Sequence, residues 1–339
     1  MFPKSCLRVA RIFALCGITI LLFCPVVLSN SVPKWFLSPP NNDAAYLYGS
    51  GHGATIEDAT NEALNQIASK LSVTVGSTFE KTETVSSHNS IQSYDKNLSN
   101  NITTTVEKIK FNNYEIIKNS IEGKDVFVLV SVDKHKFVSE KIQDLQNADR
   151  FIKSTYELGA EKSIMEKVAL YREITSKIAE TYPLLGIIHT LSPAFDVDSY
   201  YLKFNKLSAE IKGTSSKLQV YLDYGQDSSE LVAVVTKHLN NAAIVVVPTY
   251  DPNNKNLVTL NIRSSLKKLE LYGAKVVKFN TDFEVKSTSD NTVAVAKIES
   301  KGSSAISFNE AYQAAAINLD KKIAERGIWA VLGIEKASR

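Results

Sequence analysis

The chain has 339 residues, of which 39 are Lys or Arg and 36 are Asp or Glu, for a formal net charge of +3. That length allows two domains and a sizeable core. The first 29 residues hold Lys4, Arg8 and Arg11 and no acid, so the remainder carries 36 residues of each sign and is neutral. A neutral balance without a dense basic run argues against a nucleic-acid-binding surface.

Residues 12–28 form an uncharged apolar run, followed by Ser29, Asn30 and Ser31. A basic start, an apolar middle and a small-residue exit describe a secretory signal peptide over residues 1–29. Cleavage is expected at Val27-Leu28-Ser29, with Ser31 as a second site. The run is at the short edge of a membrane span, which favours cleavage over a retained anchor. Cys6, Cys16 and Cys24 all fall in this leader. The mature chain is therefore expected to lack disulfides, a thiol nucleophile and Cys-bound zinc. Lipidation wants a small residue before its cysteine, whereas Phe23 precedes Cys24 and Leu15 precedes Cys16. Membrane contact is expected only through the leader or a lipid on Cys24.

Residues 30–133 read as a first domain. Pro33, Pro39 and Pro40 predict an extended approach that carries Trp35 and Phe36 to plug the end of a small core. A strand over 45–48 then runs into Gly49-Ser50-Gly51-His52-Gly53, read as a sharp strand-to-helix turn. Thr55 and Asp58 cap the helix that follows. Its stripe of Ala59, Ala63, Leu64, Ile67, Ala68 and Leu71 predicts close packing against a sheet. From Ser72 the period changes to two, through Val73, Val75 and Phe79. A polar tip over 86–101 leads to a second alternating stretch over 102–111, so a long hairpin is expected. Strands at 114–120 and 125–132, turning at Gly123, complete the domain.

A helical hairpin connector is expected over 134–213. Its first stripe, from Ile164 to Ile178, should end before Tyr182-Pro183, and its second runs from Tyr200 to Ile211. Residues 214–339 read as a second α/β domain. Strands are expected at 218–224, 243–247, 257–263, 266–272, 276–285 and 292–300, with helices at 228–239 and 307–325 and a terminal strand or tail at 328–332. The last helix echoes the first: Ser307, Glu310, Ala311 and Ala315 repeat Thr55, Asp58, Ala59 and Ala63 at an offset of 252 residues. The echo is either a structural relationship or a coincidence between two capped, Ala-rich helices. The fold class is thus α+β: an N-terminal helix-on-antiparallel-sheet domain, a helical hairpin connector and a second α/β domain.

No motif for chemistry emerges. Gly49 to Gly53 miss the dinucleotide spacing by one residue and lack the distal acid, and no Gly-Lys-Ser/Thr is present. His52, His88, His135, His189 and His238 are not paired at metal-ligand spacing. Asp223, Asp227 and Asp251 read as loop acids without specific partners. No catalytic, cofactor-binding or metal residues are expected, and no enzyme.

The ordered series Pro33, Trp35, Pro39, Tyr48, Gly49, Gly51, Ala59 and Ala63 resembles the LPP-twenty lipoprotein family. In this domain that family is similar to the flagellar accessory proteins FlgP and FlgT, and the second domain is loosely reminiscent of the FlgT layout. The resemblance implies a non-enzymatic, periplasm-facing role, structural or in assembly, within an outer-membrane-associated complex such as a flagellar one. Self-association through sheet edges or the helical hairpin, or binding to envelope protein partners, is the expected mode. The alternative is a periplasmic binding module for a peptide, glycan or small ligand.

Overall fold

The computed structural model describes residues 32–86, 105–106, 108–288 and 290–334. The leader with Cys24 and residues 87–101 of the expected hairpin tip lie outside the described residues; of the second strand expected over 102–111, residues 105–106 are helical and 108–111 form no strand. Among the described residues no helix is long and apolar enough to cross a membrane. The chain divides into two compact units, residues 1–68 with 110–133 and residues 69–109 with 134–339.

The first unit begins with one helical turn, α1 (Lys34–Leu37), where an extended approach was expected. Pro33 stands at its N-cap, a position that needs no proline N–H. Strand β1 (Tyr46–Gly53) precedes helix α2 (Ile56–Ser86), and β2 (Tyr114–Glu122) and β3 (Asp125–Asp133) form a tight hairpin. The sheet is antiparallel with order β1-β3-β2. The Thr55 hydroxyl accepts from the Asp58 N–H at 3.1 Å and donates to the Asp58 carboxylate at 2.8 Å, which starts α2 where the sequence predicts.

Two expectations fail here. Gly49, Gly51 and Gly53 lie within β1, not in a turn after it. The expected strand from Ser72 is instead the continuation of α2. Ile67, Leu71 and Val75 recur every four residues and are buried, so the helical period was present beneath the alternation. The hydroxyls of Ser72, Thr74 and Ser77 bond back to the carbonyls of Ser69, Lys70 and Thr74. Such bonds absorb side chains that favour strands elsewhere, and a long established helix outweighs weak propensity.

The second unit holds three further helices, α3 (Lys134–Gly159), α4 (Ile164–Leu191) and α5 (Asp198–Ser215). Ser163 and Glu166 form a capping box at the start of α4. Asp196 accepts from the Ser199 N–H at 3.2 Å at the start of α5. Tyr156 of α3 stacks on Tyr171 of α4 with ring centroids 5.4 Å apart, and donates to Glu210 of α5 at 3.2 Å. Helix α4 runs through Pro183 rather than ending before it. Pro183 is flanked by buried Tyr182, Leu185, Ile187 and Ile188; that burial outweighs the ~3 kcal/mol a helical proline costs.

The C-terminal part of this unit is a five-stranded sheet of order β5-β4-β6-β7-β8. Strand β4 (Gln219–Tyr224) pairs in parallel with both β5 (Val245–Val247) and β6 (Leu257–Leu271), and helix α6 (Ser229–Asn241) makes the crossover. Strands β6, β7 (Ala274–Ser287) and β8 (Thr292–Ser304) are antiparallel. The two strands expected over 257–272 are one long strand, β6. It turns into β7 through Tyr272-Gly273, both at positive φ, as a two-residue hairpin turn demands. Helix α7 (Phe308–Arg326) follows β8, and residues 328–331 form a short helix, α8 (Ile328–Val331), not a strand. One face of this sheet is buried: Val220, Leu260, Ile262, Phe283 and Val285 join Leu231 and Val235 of α6 and Ala311, Ala315 and Leu319 of α7 in a single core. Alternation in each strand sends the intervening polar residues to the opposite face.

Phe283 is fully buried in this core, so Phe283→Ala should cost about 3–5 kcal/mol in urea unfolding. Leu202, 73% exposed on α5, should change stability by no more than about 0.5 kcal/mol when replaced by Ala. Asp320 on α7 is bound by Lys237 at 2.9 Å and His238 at 2.7 Å, both on α6. The Lys237 hydrogen bond, then His238, holds its carboxyl below the ordinary value of 3.8. Its contribution is therefore complete above that value and is lost as pH falls through the lower folded value. Asp320→Asn should be less stable than the parent at neutral pH, with the difference closing in acid.

Candidate functional site

The residues that carry the sequence resemblance come together in the first unit, around the crossing of β1 and α2. Gly49 and Gly51 have no room for a side chain. A Cβ on Gly49 would stand 2.2 Å from the Ala63 carbonyl oxygen, and one on Gly51 would stand 2.1 Å from that of Ala59. Ala59 and Ala63 are fully buried; their small side chains let the helix backbone down onto the strand. Leu47, Gly49, Gly51 and Gly53 stand in register with Val132, Val130, Val128 and Val126. Cross-strand partners share a face, so these four valines lie on the α2 side of the sheet. A phosphate cannot reach the glycines, because helix backbone occupies that space.

The remaining members close the opposite side. Pro33 accepts from the Phe36 N–H at 2.9 Å. Phe36 packs edge-on against Phe127 at 4.9 Å and His52 at 6.0 Å, and Trp35 lies edge-on to Phe36 at 6.4 Å. Phe36 therefore makes the direct contact with the sheet that was expected of Trp35 as well. Tyr48 donates its hydroxyl to Asp43 at 3.0 Å and its N–H to Asn42 at 2.8 Å. Desolvation and the Asp43 carboxylate push its phenol above the ordinary value, so it remains a neutral donor. This assembly positions backbone and presents no reactive group.

A second arrangement, which the sequence reading missed, lies on the open face of the C-terminal sheet. Tyr221 and Asp223 of β4, Thr259, Asn261 and Arg263 of β6, and Glu284 and Lys286 of β7 share that face, and Tyr250 and Asp290 border it. They line a groove of about 550 Å³, within the ~300–1,000 Å³ typical of ligand clefts. The rings of Tyr221 and Tyr250 sit 5.8 Å apart at 56°. Asp223, expected as an unpartnered loop acid, is a strand residue that accepts from Arg263 at 2.7 Å. Arg263 also donates to the Asp223 backbone carbonyl at 2.9 Å. Glu284 accepts from Thr292 at 2.6 Å and Asn261 at 3.2 Å. Those hydrogen bonds, Thr292 first, hold its carboxyl below the usual range. Lys286 donates to Asp290 at 3.0 Å, which raises its ammonium above the usual value. The signal for this site was the polar half of each strand's alternation, which looks like ordinary solvent-facing residues until the strands are placed side by side. Among the described residues, no group of three or more His, Cys, Asp or Glu is placed to hold a metal ion.

The LPP20 lipoprotein family model matches residues 33–133 of the chain. The match takes in α1, β1, α2, β2 and β3 and supports an envelope-associated protein. No curated protein matches the chain. Among solved structures, a secreted protein of the human pathogen Helicobacter pylori is 14% identical, with 74% of this chain and 85% of that one covered at a TM-score of 0.45. A minor lipoprotein of Acinetobacter baumannii is 9% identical, with 36% and 96% covered at a TM-score of 0.28. Both likenesses are too loose to carry an argument about fold or role.

The glycine contacts predict opposite effects for one chemical change. Gly51→Ala drives a methyl into helix backbone and should cost about 3 kcal/mol or more. Gly213→Ala, in α5 with nothing within 4 Å of the added carbon, should gain roughly 0.5–1 kcal/mol. Chemical denaturation of the two variants beside the parent checks both signs.

Proposed function

We propose that this chain is an exported, non-enzymatic envelope protein that takes a structural or assembly part in an outer-membrane-associated complex, of which the flagellar kind is one instance. Export rests on the basic, apolar and small-residue order of residues 4–31 and on the lipoprotein-family match of residues 33–133. The observation that carries the assembly role is the outer edge of the first sheet. Among the described residues strand β2 pairs only with β3, and it exposes Ile116, Ile117 and Ile121 together with Tyr114. Its register slips between Ile116 and Lys118, leaving Ile117 unpaired in a bulge. An open edge rich in isoleucine favours pairing with another strand. The partner proposed is a second copy of this chain, joined β2 to β2. The groove on the C-terminal sheet favours a second reading, a periplasmic binding module, and the two roles are compatible in one molecule.

The mature protein should begin at Asn30 without a lipid on Cys24, as read by intact mass of material recovered from the periplasmic fraction. Light scattering of that material should give a multiple of the monomer mass. The double change Ile117→Lys and Ile121→Lys should return it to monomer without altering its circular dichroism. Retention in the cytosol, or a strictly monomeric parent, contradicts the proposal.

A further inference from the structure

We infer that the groove on the open face of the C-terminal sheet binds an uncharged saccharide, with a sugar ring against Tyr221 and Tyr250 and its hydroxyls on Asp223 and Asn261. The inference rests on the binding-module reading and gives it a ligand class. Three features of the groove select that class.

Both cations are already paired, and Glu284 leaves the groove one net negative charge. Arg263 is held by Asp223, Lys286 by Asp290, and Glu284 by Thr292 and Asn261. An anionic ligand such as phosphate or a carboxylate would meet cations already neutralised by carboxylates, beside the uncompensated Glu284, with little net attraction. A neutral ligand leaves these pairs intact.

The polar groups retain both kinds of hydrogen-bonding capacity. Asp223 offers its second carboxylate oxygen and Asn261 its amide oxygen as acceptors. Arg263 and Lys286 carry more N–H donors than the bonds to Asp223 and Asp290 consume. Acceptors on β4 and β6 therefore sit beside donors on β6 and β7, and the cross-strand pairs Asn261 with Glu284 and Thr259 with Lys286 fix their spacing. Adjacent sugar hydroxyls, each both donor and acceptor, match such an array. A peptide backbone would more naturally seek a strand edge, and Asn261 and Thr259 lie on an inner strand with both edges used.

The apolar surface is aromatic and small. Tyr221 and Tyr250 meet at an angle, forming a corner for one ring instead of a long slot for an acyl chain. Tyr250 is 44% exposed, so its ring is available to a ligand.

Titration calorimetry of the full exported chain with chitotetraose and maltotetraose, with amide NMR on the same samples, tests the assignment. At least one oligosaccharide should bind saturably and shift amides of β4, β6 and β7 around residues 221, 261 and 286. Tyr250→Ala, a change in an exposed loop, should weaken binding by about tenfold, and Asn261→Ala should weaken it in the same direction. Circular dichroism of each variant should match the parent. Inorganic phosphate and tri-alanine serve as charged and peptide probes. If either of these shifts the groove amides and no oligosaccharide does, the saccharide assignment falls while the binding reading stands. If none of the four probes shifts them, both fall.

Discussion

A carbonyl oxygen of Ala59 occupies the space where a side chain would begin on Gly51, and the first unit depends on that approach. Because the helix backbone rests on the strand backbone, the valines of β3 beside the glycines can be fully buried beneath α2. Any larger residue at position 49 or 51 would lift the helix and open a gap over those valines, which close packing does not tolerate. The second unit repeats the device. A Cβ on Gly302 of β8 would stand 2.1 Å from the Ala311 carbonyl oxygen and 2.2 Å from the Ala315 nitrogen of α7. The Ser307 hydroxyl accepts from the Glu310 N–H at 3.2 Å, as Thr55 does from Asp58. In each unit a strand at the edge of its sheet carries the glycine, and the capped helix follows directly. The echo in the sequence therefore corresponds to a repeated contact.

The same logic explains the contrast between the two faces of the C-terminal sheet. Helices α6 and α7 and the start of α4 cover the apolar half of each strand. The opposite half is left to polar residues, and around the groove these engage one another in ion pairs and amide–carboxylate bonds. Exposed pairs of this kind contribute little to stability. Their effect is to hold a set of donors and acceptors in place around the one carboxylate, Glu284, that no cation among the described residues pairs with. The closed face accounts for folding, and the open face is where recognition is available.

Much of this was legible in the chain itself. The caps at Thr55 and Ser307, the alanine stripe of α2 and the β2–β3 hairpin follow from local spacing, and local spacing is what one strand or helix records. The failures share a cause. Residues 72–86 alternate like a strand, yet Ile67, Leu71 and Val75 already commit the segment to the helix begun at Thr55. Pro183 looks like a stop until the burial around it is known. The glycines of β1 suggest a turn, because their partner is a helix backbone that no spacing reveals. Asp223 and Arg263 are 40 residues apart, and only the parallel pairing of β4 with β6 joins them.

The central claim is that glycine-on-alanine contact sets the position of the helix in both units, and hydrogen exchange of Gly302→Ala tests it most directly. The account predicts that amide protection in β8 and α7 falls markedly below that of the parent, while Gly213→Ala leaves it unchanged. Parent-level protection of β8 and α7 in Gly302→Ala would contradict it, because the helix would then not depend on the space above the strand.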